Sequence, residues 1–217
     1  MATLLEQIGR TLNVSVRSSG INVVTASEDS VLSVKQAKLQ AKLSADDDLE
    51  DEWFTDAIPA AEAFVQNAYS FSLLERVVRS WTDAFPPANY LDLPVGPVTE
   101  ISAISYWDAD NVLQPWHVVT TAEKVFLDNS KQVDRAVLLG GESWPTAGLR
   151  PATAVQVEYK AGWTDPASVP GDVKHALKML IAHWYMNREE VVIAPGMTIA
   201  EVPFGANSIL TMQMRQP

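Results

Sequence analysis

The sequence predicts an α+β protein. A helical module drawn from both ends of the chain holds an inserted antiparallel β-sandwich or barrel-like module. Apolar residues recur every three or four positions between residues 33 and 69, the period of a helix with one buried face. From residue 71 to residue 160 the period falls to two, and proline, glycine and Asp/Asn punctuate the segments, as in short strands joined by turns. Helical period then returns at Pro170. A chain of 217 residues suits one elaborated domain or two small ones. The predicted organisation is an arm over residues 1–30, a first helical part over 31–70, the β module over 71–165, a second helical part over 166–194 and a C-terminal segment over 195–217.

In the arm, Thr11, Leu12, Asn13, Val14, Ser15 and Val16 alternate apolar and polar. Ser18, Ser19 and Gly20 are a turn signal, and Ile21 to Val24 is β-prone. This pattern fits a hairpin, and it fits equally a tail that orders on a partner. A short helix is expected from Ser33 to Leu43, with Ser33 capping the free N–H groups of its first turn. A second runs to about Tyr69, with Leu49, Trp53, Ala57, Ala60, Phe64 and Ala68 on one face. Asp46, Asp47, Asp48, Glu50, Asp51 and Glu52 fall at its start, where the helix dipole favours negative charge. Pro59 should kink or divide this helix, because it removes a backbone donor.

Strands are expected at residues 72–81, 101–107, 116–121, 124–127, 135–139 and 154–160, with turns at 85–87, 93–97, 108–111 and 140–141. The prolines in these turns mark connections, since central strands exclude them. In the last strong helix Val173, Leu177, Leu180, Ile181 and Trp184 form a stripe bordered by Ala176 and Tyr185. Pro170 suits its first turn, and it should end near Glu189, before the break at Pro195 and Gly196. An apolar final segment follows, carrying Val202, Phe204, Ile209, Leu210, Met212 and Met214.

Composition excludes several function classes. Lysine and arginine number 16 against 27 Asp and Glu, a net charge of -11. Tight binding to duplex phosphate needs a basic face that releases counterions. With no cysteine there is no disulfide, thiolate nucleophile or cysteine-bound zinc. Residues 1–20 lack the basic-then-apolar layout of a signal peptide. No apolar run approaches the roughly 20 residues that span a bilayer.

Chemistry-bearing motifs are sparse. The sequence holds no G-x-S-x-G, Walker A, Rossmann or H-E-x-x-H pattern. Gly140, Gly141, Glu142 and Ser143 sit at a strand end without the strand-to-helix setting of a nucleophile elbow, and read as a turn. His175 and His183 lie roughly 12 Å apart along one helix, too far to share a small metal centre. His117 lies in the β region and can approach either. The acidic run fails as a calcium loop, since Asp51 and Ala57 occupy the positions that need glycine and glutamate. The 7 tryptophans offer a sugar-binding platform through Trp107, Trp116 or Trp163, but Trp53, Trp81 and Trp184 fall on or beside apolar stripes and read as packing.

Several stretches taken in order resemble one family. They are Val31-Leu32-Ser33-Val34-Lys35-Gln36-Ala37-Lys38; Asp47-Asp48-Leu49 with Ala60-Ala61-Glu62-Ala63-Phe64-Val65; Leu91-Asp92-Leu93-Pro94-Val95-Gly96-Pro97-Val98; Ile104-Ser105-Tyr106-Trp107-Asp108-Ala109-Asp110; Ser143-Trp144-Pro145; and Val157-Glu158-Tyr159-Lys160-Ala161-Gly162-Trp163. Val169-Pro170, Ala176-Leu177, Ala182-His183-Trp184-Tyr185-Met186-Asn187-Arg188-Glu189 and Val202-Pro203-Phe204-Gly205 complete the set. The set resembles the head–tail connector (adaptor) proteins of tailed phages, which also occur in prophages and gene-transfer agents. The chain departs from them in its first 30 residues, at Pro59, and at Asn111, where such turns often carry glycine and αL-tolerant asparagine can replace it.

The resemblance implies a non-enzymatic, cofactor-free virion protein, assembled in the host cytoplasm and placed in the neck. It implies a closed ring of about twelve copies under the portal, extending the DNA channel and offering a platform for the next neck or tail-completion protein. DNA would pass through without specific binding, and no membrane is involved. The C-terminal segment would reach the portal through Phe204, Ile209, Leu210, Met212 and Met214; packing of these residues on the subunit's own helices is the other reading. Asp46, Asp47, Asp48, Glu50 and Asp51 would face the lumen or rim, where negative charge keeps DNA mobile. Trp53, Phe64, Leu177, Leu180, Trp184 and Tyr185 would pack the subunit; the stripe of Val173, Leu177, Leu180 and Trp184 is either its core or a face toward a neighbour. The alternatives are a β-sandwich module binding carbohydrate or another ligand, and a hydrolase with a site near His117 or His183.

Overall fold

The structure is a computed structural model, and it describes residues 20–25, 27, 29–46, 48–119, 123–131, 133–188 and 203–213. Four helices stand in it: α1 (Val34–Gln40), α2 (Asp51–Tyr69), α3 (Gly171–Met186) and α4 (Phe204–Gln213). Eight strands accompany them: β1 (Gly20–Thr25), β2 (Arg76–Thr82), β3 (Tyr90–Leu93), β4 (Val98–Trp107), β5 (Leu113–Val118), β6 (Val125–Asp128), β7 (Asp134–Leu138) and β8 (Val155–Ala161).

The helices from the two ends of the chain share one core. Ser33 caps α1 with a capping box: its hydroxyl accepts the Gln36 N–H, and the Gln36 side chain accepts the Ser33 N–H at 3.0 Å. α2 runs through Pro59 undivided. Pro59 and Thr55, the residue whose carbonyl it cannot bond, are both exposed, so water can replace the missing donor.

The buried face of α2 differs from the expected one. Phe54, Ile58, Ala61, Val65 and Tyr69 are buried, while Leu49, Ala60 and Ala68 are exposed and Trp53 and Phe64 pack at the margin; only Ala57 of the expected face is buried. Two apolar stripes compete on this helix, and the one with Phe, Ile, Val and Tyr removes more apolar area from water per turn. The stripe on α3 is subunit core, with Val173, Leu177, Leu180 and Ile181 wholly buried. α3 ends at Met186, where the Asn187 N–H reaches the carbonyls of His183 and Trp184.

The β module is two antiparallel sheets facing one another, not a closed barrel. Their orders are β1-β2-β8-β4-β5 and β3-β7-β6. Along β8 buried residues alternate strictly with half-buried ones, the period a one-sided sheet requires. Leu91, Leu93, Val125 and Ala136 from the smaller sheet pack with Val78, Ile104, Val157 and Tyr159 from the larger. β3 is absent from the strands expected from periodicity, because prolines on both sides of its four residues hide the alternation. β1 also differs from the expected arm: Gly20 belongs to the strand, opposite Trp81, and not to a turn. Asn111 has φ 61°, the left-handed conformation that asparagine tolerates.

Backbone hydrogen bonds join the segments where the two modules meet. The N–H groups of Ser72, Glu75 and Gly162 donate to the carbonyls of Gly96, Trp163 and Pro97 at 2.7, 2.8 and 2.8 Å. Trp163 packs against Phe71 and the helical core.

Candidate assembly surfaces

The acidic cluster at the start of α2 divides into two roles. Asp51 pairs with Lys38, whose side chain is only 2% exposed, and so ties α2 to α1. Glu50 pairs with Arg188. The Arg188 guanidinium also lies 4.8 Å from the Trp53 ring centre and 4.2 Å from that of Tyr185, within the reach of cation–π attraction. Asp46 and Asp48 are exposed, as are Glu52 and Asp56 further along α2. Asp47 lies outside the described residues. Negative charge is therefore displayed at this end, while two carboxylates of the expected set hold the subunit together.

The C-terminal residues divide in the same way. α4 buries Ala206 and Leu210 in the helical core, both 0% exposed, and Ile209 packs against it. The Tyr69 hydroxyl donates to the Asn207 side-chain oxygen at 2.6 Å, joining α2 to α4. Phe204 and Met212 point away from this contact, 85% and 82% exposed. Met214 lies outside the described residues. Of the residues considered for the portal, Leu210 is thus an internal packing residue, and Phe204 and Met212 are the ones presented outward.

The remaining packing residues lie within the subunit. Leu177 and Leu180 are wholly buried. Trp53 meets Phe54 and Tyr185 edge-on, and Phe64 meets Trp184 edge-on. The tryptophans considered for sugar binding are also engaged. Trp116 packs on Trp144 and Phe85 with Lys124 over its ring, the Arg150 guanidinium lies over Trp107, and Trp163 faces the helical core. His117 is buried, and its Nδ1 accepts the Lys124 N–H. Gly140 and Gly141 form the turn after β7, closed by the Glu142 N–H on the Leu139 carbonyl. Among the described residues no three His, Asp or Glu side chains group so as to hold a metal ion, and no helix is long and apolar enough to cross a membrane.

One polar cleft lies between the modules, lined by Ser27, Asp29, Glu62, Gln66, Leu73, Leu74 and Arg76. The Arg76 Nε is buried there without a hydrogen bond among the described residues. The Glu62 carboxylate accepts the Val31 N–H at 2.7 Å. Desolvation holds its carboxyl above the usual carboxylate range, against the opposing pull of the Val31 and Leu32 N–H groups. A carboxyl raised in the folded state contributes stability that is complete below its unfolded pKa and is lost as pH rises through the raised value. Glu62→Gln keeps a carbonyl acceptor for these N–H groups. It is therefore expected to gain on the wild type as pH rises through that window, and melting curves of both proteins from acid to neutral pH check this.

Arg188, Lys38 and Glu62 escape a sequence reading because each works through a residue far away in the chain. Each does fall within one of the family-like runs, Val31 to Lys38, Ala60 to Val65 and Ala182 to Glu189, but those runs give no pairing.

No protein-family model matches the sequence, and neither does any curated protein. Solved structures do. A chain in the neck of an empty GTA particle, computed with C6 symmetry, matches with a TM-score of 0.70 and 24% identity, covering 91% of this chain and 96% of that one. The chain shares its fold with a gene transfer agent neck. A chain of the native gene transfer agent virion gives a TM-score of 0.69 at 22% identity, and one from the native neck computed with C12 symmetry gives 0.65 at 22%, each over 91% of this chain and 96% of the other. The likeness thus spans the helical and β modules together.

Proposed function

We propose that this chain is a structural subunit of a virion neck, a head–tail connector that forms a ring of about twelve copies below the portal. The likeness in fold to gene transfer agent neck chains over 91% of the sequence carries this reading. The ordered run of family-like motifs points the same way. In this role the subunit catalyses no reaction. It binds its own copies, the portal on one side and the next neck or tail-completion protein on the other, and DNA moves through the ring.

The surface chemistry suits that work. Phosphate contacts add affinity and fix position, so a wall past which DNA slides should offer none. Asp46 and Asp48 supply exposed negative charge at one end of the subunit. Replacing both by lysine is expected to slow DNA passage several-fold at low salt while leaving the melting temperature nearly unchanged. Ejection timed on assembled particles checks this, and normal ejection counts against a lumenal position. The role itself is tested by sizing the purified chain alone and with portal, followed by electron microscopy. Rings seated on the portal are the expected result, and a subunit that neither forms rings nor binds portal overturns the proposal.

A further inference from the structure

Much of the charge on the β module is balanced within the subunit. Arg79 pairs with Glu158 across β2 and β8, Lys160 with Glu100 across β8 and β4, and Arg135 with Asp92 across β7 and β3. The outer faces of two helices differ. α2 has 19 residues and no lysine or arginine. Its exposed side carries Glu52 and Asp56 one turn apart. α3 carries Lys174, His175 and Lys178 within about one turn, outside its buried stripe. Its one acid, Asp172, accepts the Val173 N–H. Among the described residues neither Glu52 and Asp56 nor Lys174, His175 and Lys178 form an ion pair.

The outer face of α2 also permits close approach. Past Asp56 it exposes Pro59, Ala60, Ala63 and Asn67 at three- or four-residue spacing. Water-facing sides of helices ordinarily carry charged and polar chains, and most of this side carries short ones. Pro59 has no N–H, so the carbonyl of exposed Thr55 lacks its helical donor and can accept one from outside.

A ring joins two different faces of each subunit, head to tail, and the gene transfer agent necks that share this fold were computed with C6 and C12 symmetry. We infer that the acidic outer face of α2 on one copy docks against Lys174, His175 and Lys178 of α3 on the next. The inference rests on the ring reading and names the two faces that meet. Charge selects the occupant. The outer face of α2 repels a second α2, and that of α3 repels a second α3, so a twofold pairing of like faces is disfavoured and the head-to-tail contact is attractive. The two lysines would supply ammonium donors to Glu52, Asp56 and the Thr55 carbonyl.

Two full-length variants test this. One carries Glu52→Lys and Asp56→Lys, the other Lys174→Glu and Lys178→Glu, and a melting curve first shows that each is folded. Assembly with portal is followed by electron microscopy at low salt, where such contacts are least screened. Each variant alone is expected to lose about tenfold or more in ring yield, because its altered face meets one of like charge. Mixed in equal amounts, the two are expected to form rings of alternating copies, since every contact again joins opposite charges. Mixing restores only a contact between copies, so this result separates the pairing from any contact inside one chain. Either variant forming rings alone as readily as the unmodified chain, or two folded variants that stay dispersed on mixing, overturns the pairing and leaves the ring reading standing. Failure of the unmodified chain to form rings with portal overturns both. Should a double reversal impair folding, Asp56→Lys and Lys178→Glu alone replace it in the same series.

Discussion

Replacing Phe204 and Met212 together by serine is expected to leave the subunit folded and to weaken its binding to the portal by about a hundredfold or more. Both side chains are more than four-fifths exposed on α4, and exposed positions of this kind usually change stability by under about 0.5 kcal/mol. Their exposure costs the lone subunit apolar contact with water, and a partner that covers them recovers it. A buried aromatic anchor at an interface contributes roughly 2 kcal/mol or more, and methionine adapts to an irregular groove. If the proposed portal contact covers them, the two residues together would account for about a hundredfold in affinity. Leu210→Ala is the necessary comparison. Leu210 is wholly buried between α4 and the other helices, so its truncation should cost about 2–5 kcal/mol of stability and reduce binding only by loosening α4. Portal binding by interferometry beside melting curves separates these cases. A double variant that binds normally places the portal contact on another surface.

Sequence and structure agree where one residue type settles the local choice. The Ser33 cap, the start of α3 one residue after Pro170, the left-handed Asn111 and the alternation along β8 were all legible, because each depends on neighbours within a few positions. Agreement fails where two solutions are nearly equal locally and packing selects one. Either stripe on α2 makes a good amphipathic helix, and the Phe54–Tyr69 stripe, with the larger apolar area, is the one buried in the core shared with α1, α3 and α4. Leu210 and Phe204 looked alike as apolar residues of one segment, yet the contact of α4 with Tyr69 and α3 turns one inward and the other outward. Glu50 and Asp51 looked like Asp46 and Asp48, and are distinguished only by the distant partners Arg188 and Lys38. The acidic end and the C-terminal segment were therefore legible as regions, and the individual residues displayed by each were not.

Gly162→Ala is expected to cost about 4 kcal/mol or more of stability. Two costs add at this position. The residue has φ +114°, a conformation that side chains with a Cβ rarely adopt, and an added Cβ would stand 2.2 Å from the Leu74 carbonyl oxygen and 2.8 Å from the Glu75 nitrogen. These are backbone atoms and cannot swing aside as a flexible side chain would. Nor can the Leu74–Glu75 segment retreat at small cost, since the Glu75 N–H is bonded to the Trp163 carbonyl and the Gly162 N–H to the Pro97 carbonyl. The exit of β8, the link from α2 to β2 and the turn before β4 cross here, and this crossing fixes the β module on the helices. Against a total stability of about 5–15 kcal/mol, a loss of this size lowers the melting temperature by roughly 10 °C or more and leaves much of the protein insoluble. Gly171→Ala is the control. At the start of α3 an added Cβ meets nothing within 4 Å, so alanine should be neutral or slightly stabilising, because it has less backbone freedom to lose on folding. Equal melting temperatures for the two variants would show that the crossing can open by about an ångström. In that case the helical and β modules would not be rigidly joined, and a ring could not rely on the subunit to hold its two partner surfaces at a fixed separation.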